Sequence, residues 1–109
     1  MAELRYTWID NFLNMMRSTR NASANTLAAY RADLTEFAHF VGRRQTLPER
    51  ASVEHVRGYL KAIDEKGLAA STAARRLSAL KRFFRFVIEM GFREDDPTCS
   101  LDGPRLGER

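Results

Sequence analysis

The sequence holds a single cysteine, Cys99, in 109 residues. That excludes an internal disulfide framework and fits a reducing cytoplasm. Histidine is nearly as scarce. His39 and His55, far from each other and from the cysteine, do not make a metal site. No apolar run approaches the roughly 20 residues that span a bilayer, which excludes a membrane-embedded chain. The N-terminus, MAELRYTWID, lacks a basic-then-apolar signal pattern, so export is not expected. There is no Gly-rich phosphate loop. Nothing alternates like a strand, and there is no internal repeat.

What is present is globular. Hydrophobic residues make up 44% and charged residues 29%, values that argue against disorder. The length suits one domain, able to bury roughly 60–70% of the surface its unfolded chain exposes. Eighteen basic residues face fourteen acidic ones, a net charge of +4, and fifteen of the basic residues are arginine. The planar fork of arginine suits phosphates and guanine edges better than the point charge of lysine.

Periodicity predicts four helices. The first runs from about Thr7 to Ser18, with Thr7 as its cap and Trp8, Phe12, Met15 and Met16 as its apolar stripe. The second starts after Ser23 and ends near Gly42; Leu27, Tyr30, Leu34, Phe37 and Val41 share one face. Its opposite face carries Asn25, Ala28, Ala32, Glu36 and His39, with Arg31 on the flank. The third is capped by Ser52 and closed by Gly67, with Val53, Val56, Leu60 and Ile63 inward. The fourth runs from about Ser71 to Met90, with Gly91 past its end. Ala73, Leu77, Leu80, Phe84 and Val87 point inward; Phe83 and Phe86 lie off that stripe. This marks a central helix packed on two sides. Short connections favour antiparallel neighbours and an all-α bundle. Residues 92–109, with Pro97, Gly103, Pro104 and Gly107 and no period, read as an extended C-terminal linker after a domain of residues 1–91.

The fourth helix carries the chemistry. Residues 71–86 contain Arg75, Arg76, Lys81, Arg82 and Arg85 and no acid. Ser71, Arg75, Ser78 and Arg82 lie opposite the apolar stripe, with Arg85 close by. Ordinary solvated helices mix signs to form i,i+4 pairs; this face does not. An Arg/Ser face suits phosphate oxygens and base edges. Guanidiniums neutralised by the domain's own carboxylates would count against that reading.

The segments NTLAAYRADL (25–34), ARRLSALKRFFRF (74–86) and FREDDP (92–97), in that order and spacing, resemble the N-terminal core-binding domain of tyrosine recombinases. The similarity is strongest to the bacterial Xer type, with phage integrases more distant, and it covers about residues 4 to 105. The resemblance implies a four-helix SAM-like orthogonal bundle forming half of a clamp on double-stranded DNA, with the second and fourth helices against the major groove. On the matching segments it makes Asn25, Thr26, Arg31, Ser71, Thr72, Arg75, Arg76 and Arg82 candidate DNA contacts, and the Arg/Ser face of the fourth helix adds Ser78 and Arg85. Asn25 and Thr26 have an alternative use in shaping a helix start, and Arg31 in pairing with Glu36 or Thr35.

The resemblance also implies a parent enzyme that cuts and rejoins DNA through a 3′-phosphotyrosine, with other protomers in a synaptic tetramer, in the bacterial cytoplasm at the nucleoid. The nucleophile and its arginines would lie in a C-terminal domain beyond the linker. Tyr6, Tyr30 and Tyr59 match no part of that motif, so strand cleavage by this chain alone is not expected. No metal, nucleotide cofactor or small-molecule substrate follows. Four arginine–phosphate contacts would give a salt slope of about −4. The competing reading is a helical protein-interaction module using Phe86 and the exposed part of the first helix.

Overall fold

A computed structural model describes residues 6–99. Within them the order is α1 (Thr7–Thr19), α2 (Ala24–Gly42), a single 3₁₀ turn at Pro48–Arg50, α3 (Val53–Glu65) and α4 (Ala70–Glu89). The all-α expectation holds, and each helix lies within a residue or so of its sequence position.

The caps explain the boundaries. Ser23 Oγ accepts the Thr26 N–H at 3.1 Å and starts α2. At α3 the Ser52 hydroxyl accepts the His55 N–H, while His55 Nδ1 accepts the Ser52 N–H at 3.0 Å. This is a reciprocal cap with histidine in the usual glutamate position. Gly67 and Gly91 adopt φ of 74° and 82° just past α3 and α4, the left-handed exit that only glycine makes without strain. One expectation fails: Thr7 lies inside α1, and the residue before it, Tyr6, supplies no side-chain cap.

The core is aromatic-rich and centred on α4, which packs against α1, α2 and α3. Ile9, Phe12, Leu13 and Met16 of α1 share one buried cluster with Leu34, Phe37 and Val41 of α2, and with Val56, Tyr59 and Ile63 of α3. From α4 come Leu80, Phe83, Phe84, Phe86 and Val87. Phe83 sits edge-on to Phe12, with ring centroids 5.9 Å apart, and Phe86 edge-on to Trp8 at 6.0 Å. Both off-stripe phenylalanines are therefore buried, as a central helix requires. Each contributes roughly 1.5–3 kcal/mol of apolar burial.

The chain beyond α4 differs from the sequence expectation of a linker starting at residue 92. Phe92 packs on Trp8, with centroids 5.1 Å apart. Arg93 Nη1 donates to the carbonyls of Glu49 and Ala51 at 3.0 and 2.9 Å. Asp96 Oδ1 accepts both the N–H and the hydroxyl of Thr98, an Asx turn. Pro97 and Thr98 are buried. Proline and glycine signalled irregular backbone; they carry no information on whether that backbone packs. Residues 100–109 lie outside the described residues.

Candidate nucleic-acid interface

One face of α4 is open along its length. Ser71, Arg75, Ser78, Arg82 and Arg85 are all exposed, at the three- and four-residue steps that align one side of a helix. Thr72 is half-buried in the first turn. On α2, Asn25, Ala28, Arg31 and Ala32 are exposed, and Thr26 is half-buried. The Thr26 hydroxyl accepts from Ser23 Oγ at 3.0 Å and its N–H is the capped one, so Thr26 shapes the helix start. Arg31 pairs with neither Glu36 nor Thr35. It reaches Asp10 of α1 at 3.0 Å.

The larger difference concerns the fourth helix, whose arginines were expected to be uncompensated. The segment itself has no acid, but α2 supplies two. Asp33, 3% exposed, takes Arg75 in a two-pronged pair through Nε at 3.0 Å and Nη2 at 2.8 Å. Arg76 points inward rather than outward. Its Nη1 bonds Glu36, and its Nε lies 3.7 Å from Asp33 Oδ1. Glu36 also accepts from the Tyr59 hydroxyl and from Lys66 Nζ, each at 3.3 Å. Burial, and then the Glu36 carboxylate, push the Tyr59 phenol far above its usual range. Asp33, Glu36, Arg75, Arg76 and Tyr59 therefore form one polar network joining α2, α3 and α4.

The sequence signal for this network existed. Asp33 lies one residue before Leu34 and four before Phe37, so it shares the buried side of α2. An acid there needs a cation from a packed neighbour.

The cations split into two sets. Arg31, Arg75 and Arg76 are held by internal carboxylates. Lys81 is half-buried and donates to the Thr98 carbonyl at 3.4 Å. Arg82 and Arg85 have no ion pair or hydrogen bond among the described residues. Arg75 keeps a foot in both sets. Its pair uses Nε and Nη2, its side chain is 47% exposed, and Nη1 is left for an outside acceptor. Phe86, on which the protein-interaction reading leaned, is buried. No group of three His, Cys, Asp or Glu among the described residues is placed to hold a metal ion.

Comparison with known proteins places this architecture. Residues 9–91 match the family described as "Phage integrase, N-terminal SAM-like domain". The protein "Tyrosine recombinase XerD" of Agrobacterium fabrum is 41% identical over 99 residues, covering 91% of this chain and 30% of that protein. Its namesake in Rhizobium meliloti is 41% identical over 105 residues, covering 96% and 34%. The one in Brucella suis is 44% identical over 97 residues, covering 89% and 31%. The chain thus spans about a third of the length of these curated relatives. No solved structure matches it. Because the family match runs from the first turn of α1 to Gly91 just past α4, the chain belongs to the phage integrase N-terminal SAM-like domain family.

Proposed function

We propose that this chain is the core-binding half of a DNA clamp in a site-specific tyrosine recombinase. It lies against duplex DNA with the outer faces of α2 and α4. The carrying observation is the exposed row Ser71, Arg75, Ser78, Arg82 and Arg85, which meets no acid of its own helix before Glu89. Hydroxyls and guanidiniums in one row provide donors to phosphates and base edges together. Asn25, Arg31, Ala28 and Ala32 give α2 an exposed polar edge with small residues that permit close approach. Strand cleavage through a 3′-phosphotyrosine belongs to the longer recombinase, acting with other protomers on the same DNA.

Half a clamp neutralises few phosphates. With Arg76 turned inward and Arg75 partly committed to Asp33, the outward charge is smaller than the sequence implies. The expected salt slope is about −2 to −3 rather than about −4, with micromolar or weaker affinity at physiological salt. Fluorescence anisotropy with a mixed-sequence duplex, titrated at several salt concentrations, tests this. Binding that ignores salt refutes the interface.

A further inference from the structure

We propose that the cleft between the end of α1, the C-terminal half of α4 and the turn at residues 96–99 is a phosphodiester-backbone site, with Arg20, Arg82 and Arg85 as its anion-binding groups. The proposal rests on the DNA-binding reading and divides its labour. The first part of α4 faces base edges, and this cleft takes the flanking strand.

The cleft has a volume of about 590 Å³. Arg20, Lys81, Arg82 and Arg85 line it against only two carboxylates, Glu89 and Asp96. Asp96 is already engaged by the N–H and hydroxyl of Thr98. Arg20, the residue that ends α1, is exposed, and like Arg82 and Arg85 it has no ion pair or hydrogen bond from its side chain among the described residues. The contrast with Arg31, Arg75 and Arg76 is informative. Arg43, Arg50 and Arg57 likewise lack a side-chain ion pair or hydrogen bond among the described residues, but they stand apart from the cleft, whereas Arg20, Arg82 and Arg85 gather around one hollow. Of the apolar residues at the cleft, Phe12, Met16 and Phe86 are buried and Met15 is half-buried, so the apolar surface offered to a protein partner is small. Charge is what the cleft presents.

Helix geometry leads to the same place. The 20 residues of α4 extend for about 30 Å at 1.5 Å per residue. The major groove is only about 12 Å wide. With Ser71, Thr72 and Arg75 at the groove, Arg82 and Arg85 lie about 16 and 21 Å further along the axis from Ser71. A helix that crosses the groove has left it by that distance and meets a strand, whereas one lying along the groove has not; the orientation proposed is the crossing one. Arg20, on the neighbouring helix, extends the cationic surface sideways from that crossing.

The test is anisotropy of this chain with a mixed-sequence 30-base-pair duplex, comparing wild type, Arg20→Ala and Arg20→Lys across a salt series. Arg20→Ala is expected to weaken binding several-fold and to reduce the salt slope by about one, while circular dichroism is unchanged. Arg20→Lys restores most of the slope. If wild type binds with a salt slope and Arg20→Ala matches it, the cleft site is refuted and the DNA-binding reading stands. If wild type shows no salt-dependent binding, both fall. If an acidic poly-glutamate peptide binds and Arg20→Ala abolishes only that, the cleft takes a protein and the proposal is overturned.

Discussion

Replacing Arg75 by methionine is expected to destabilise the domain more than replacing Asp33 by asparagine, although both changes break the same pair. The asymmetry comes from burial. Asp33 is 3% exposed and Arg75 is 47% exposed at the side chain. Without Arg75, a buried carboxylate keeps only Arg76 Nε, 3.7 Å away. A buried charge left without its partner costs about 3–5 kcal/mol, and the residual attraction of Arg76 brings the expected loss to about 2–3 kcal/mol. Without the Asp33 charge, Arg75 turns to water and Arg76 keeps Glu36, so the loss is about 1–2 kcal/mol. Replacing both together, Arg75→Met with Asp33→Leu, removes the charges and the need to pair them, and is expected to fall near wild type. Urea denaturation followed by circular dichroism measures all three, and the slope should hold steady if only stability changes. Equal losses for the single variants, or a double variant as unstable as their sum, would refute the argument that burial of Asp33 sets the scale.

The Tyr59 phenol keeps its proton in the folded protein beyond the point where the unfolded chain loses it. Its contribution is intact below about pH 10 and declines above it, by up to about 1.4 kcal/mol per pH unit. Tyr59→Phe should therefore gain on wild type between pH 8 and pH 11 in unfolding free energy; a constant gap contradicts this. Arg82→Ala is expected to weaken duplex binding with little change in thermal midpoint, and unchanged affinity removes Arg82 from the interface. Asp96→Ala leaves the buried N–H and hydroxyl of Thr98 without their acceptor, for a loss of about 1–3 kcal/mol. Hydrogen exchange of the Thr98 amide, faster in that variant, checks that the turn is what opened.

Helices were legible because their signals are local. Stripe, cap and terminator all lie within one segment, so Ser23, Ser52, Gly67 and Gly91 marked their boundaries. The centrality of α4 was legible because Phe83 and Phe86 put apolar surface on a second side. Of the polar network, only the buried-side position of Asp33 was legible; which cations meet it was not, because the partners are 42 residues apart for Arg75 and Asp33, and 40 for Arg76 and Glu36. A wheel drawn on α4 alone sees a cation facing away from the stripe and assigns it to solvent. That holds for Arg75; Arg76 falls between Leu80 and Phe83 beside the stripe, and only the packing of α2 against α4 shows which carboxylates meet it there. The same limit applies to residues 92–99. Phe92 and Thr98 have no period to reveal them, yet they close over the helices.

Internal pairing changes what Arg75 contributes without removing it. An arginine free in solvent carries about 2 kcal/mol of rotamer entropy that any contact must first overcome. Arg75 is fixed in advance by two bonds to a carboxylate that is itself immobilised in the core. What it offers outward is a donor at a set position with much of its net charge already balanced. Such a group adds little to non-specific attraction, which scales with phosphates neutralised, and more to directional contact with an acceptor. Arg82 and Arg85, unpaired and exposed, have the opposite balance: strong long-range pull and little preset direction. On this argument, Arg75→Lys should blunt discrimination between duplex sequences while nearly preserving the salt slope, and Arg85→Ala should do the reverse. Selection from a randomised duplex pool, read alongside salt titrations, separates the two. If both variants change the slope alike and neither changes the selected sequences, Asp33 positions nothing that matters for recognition.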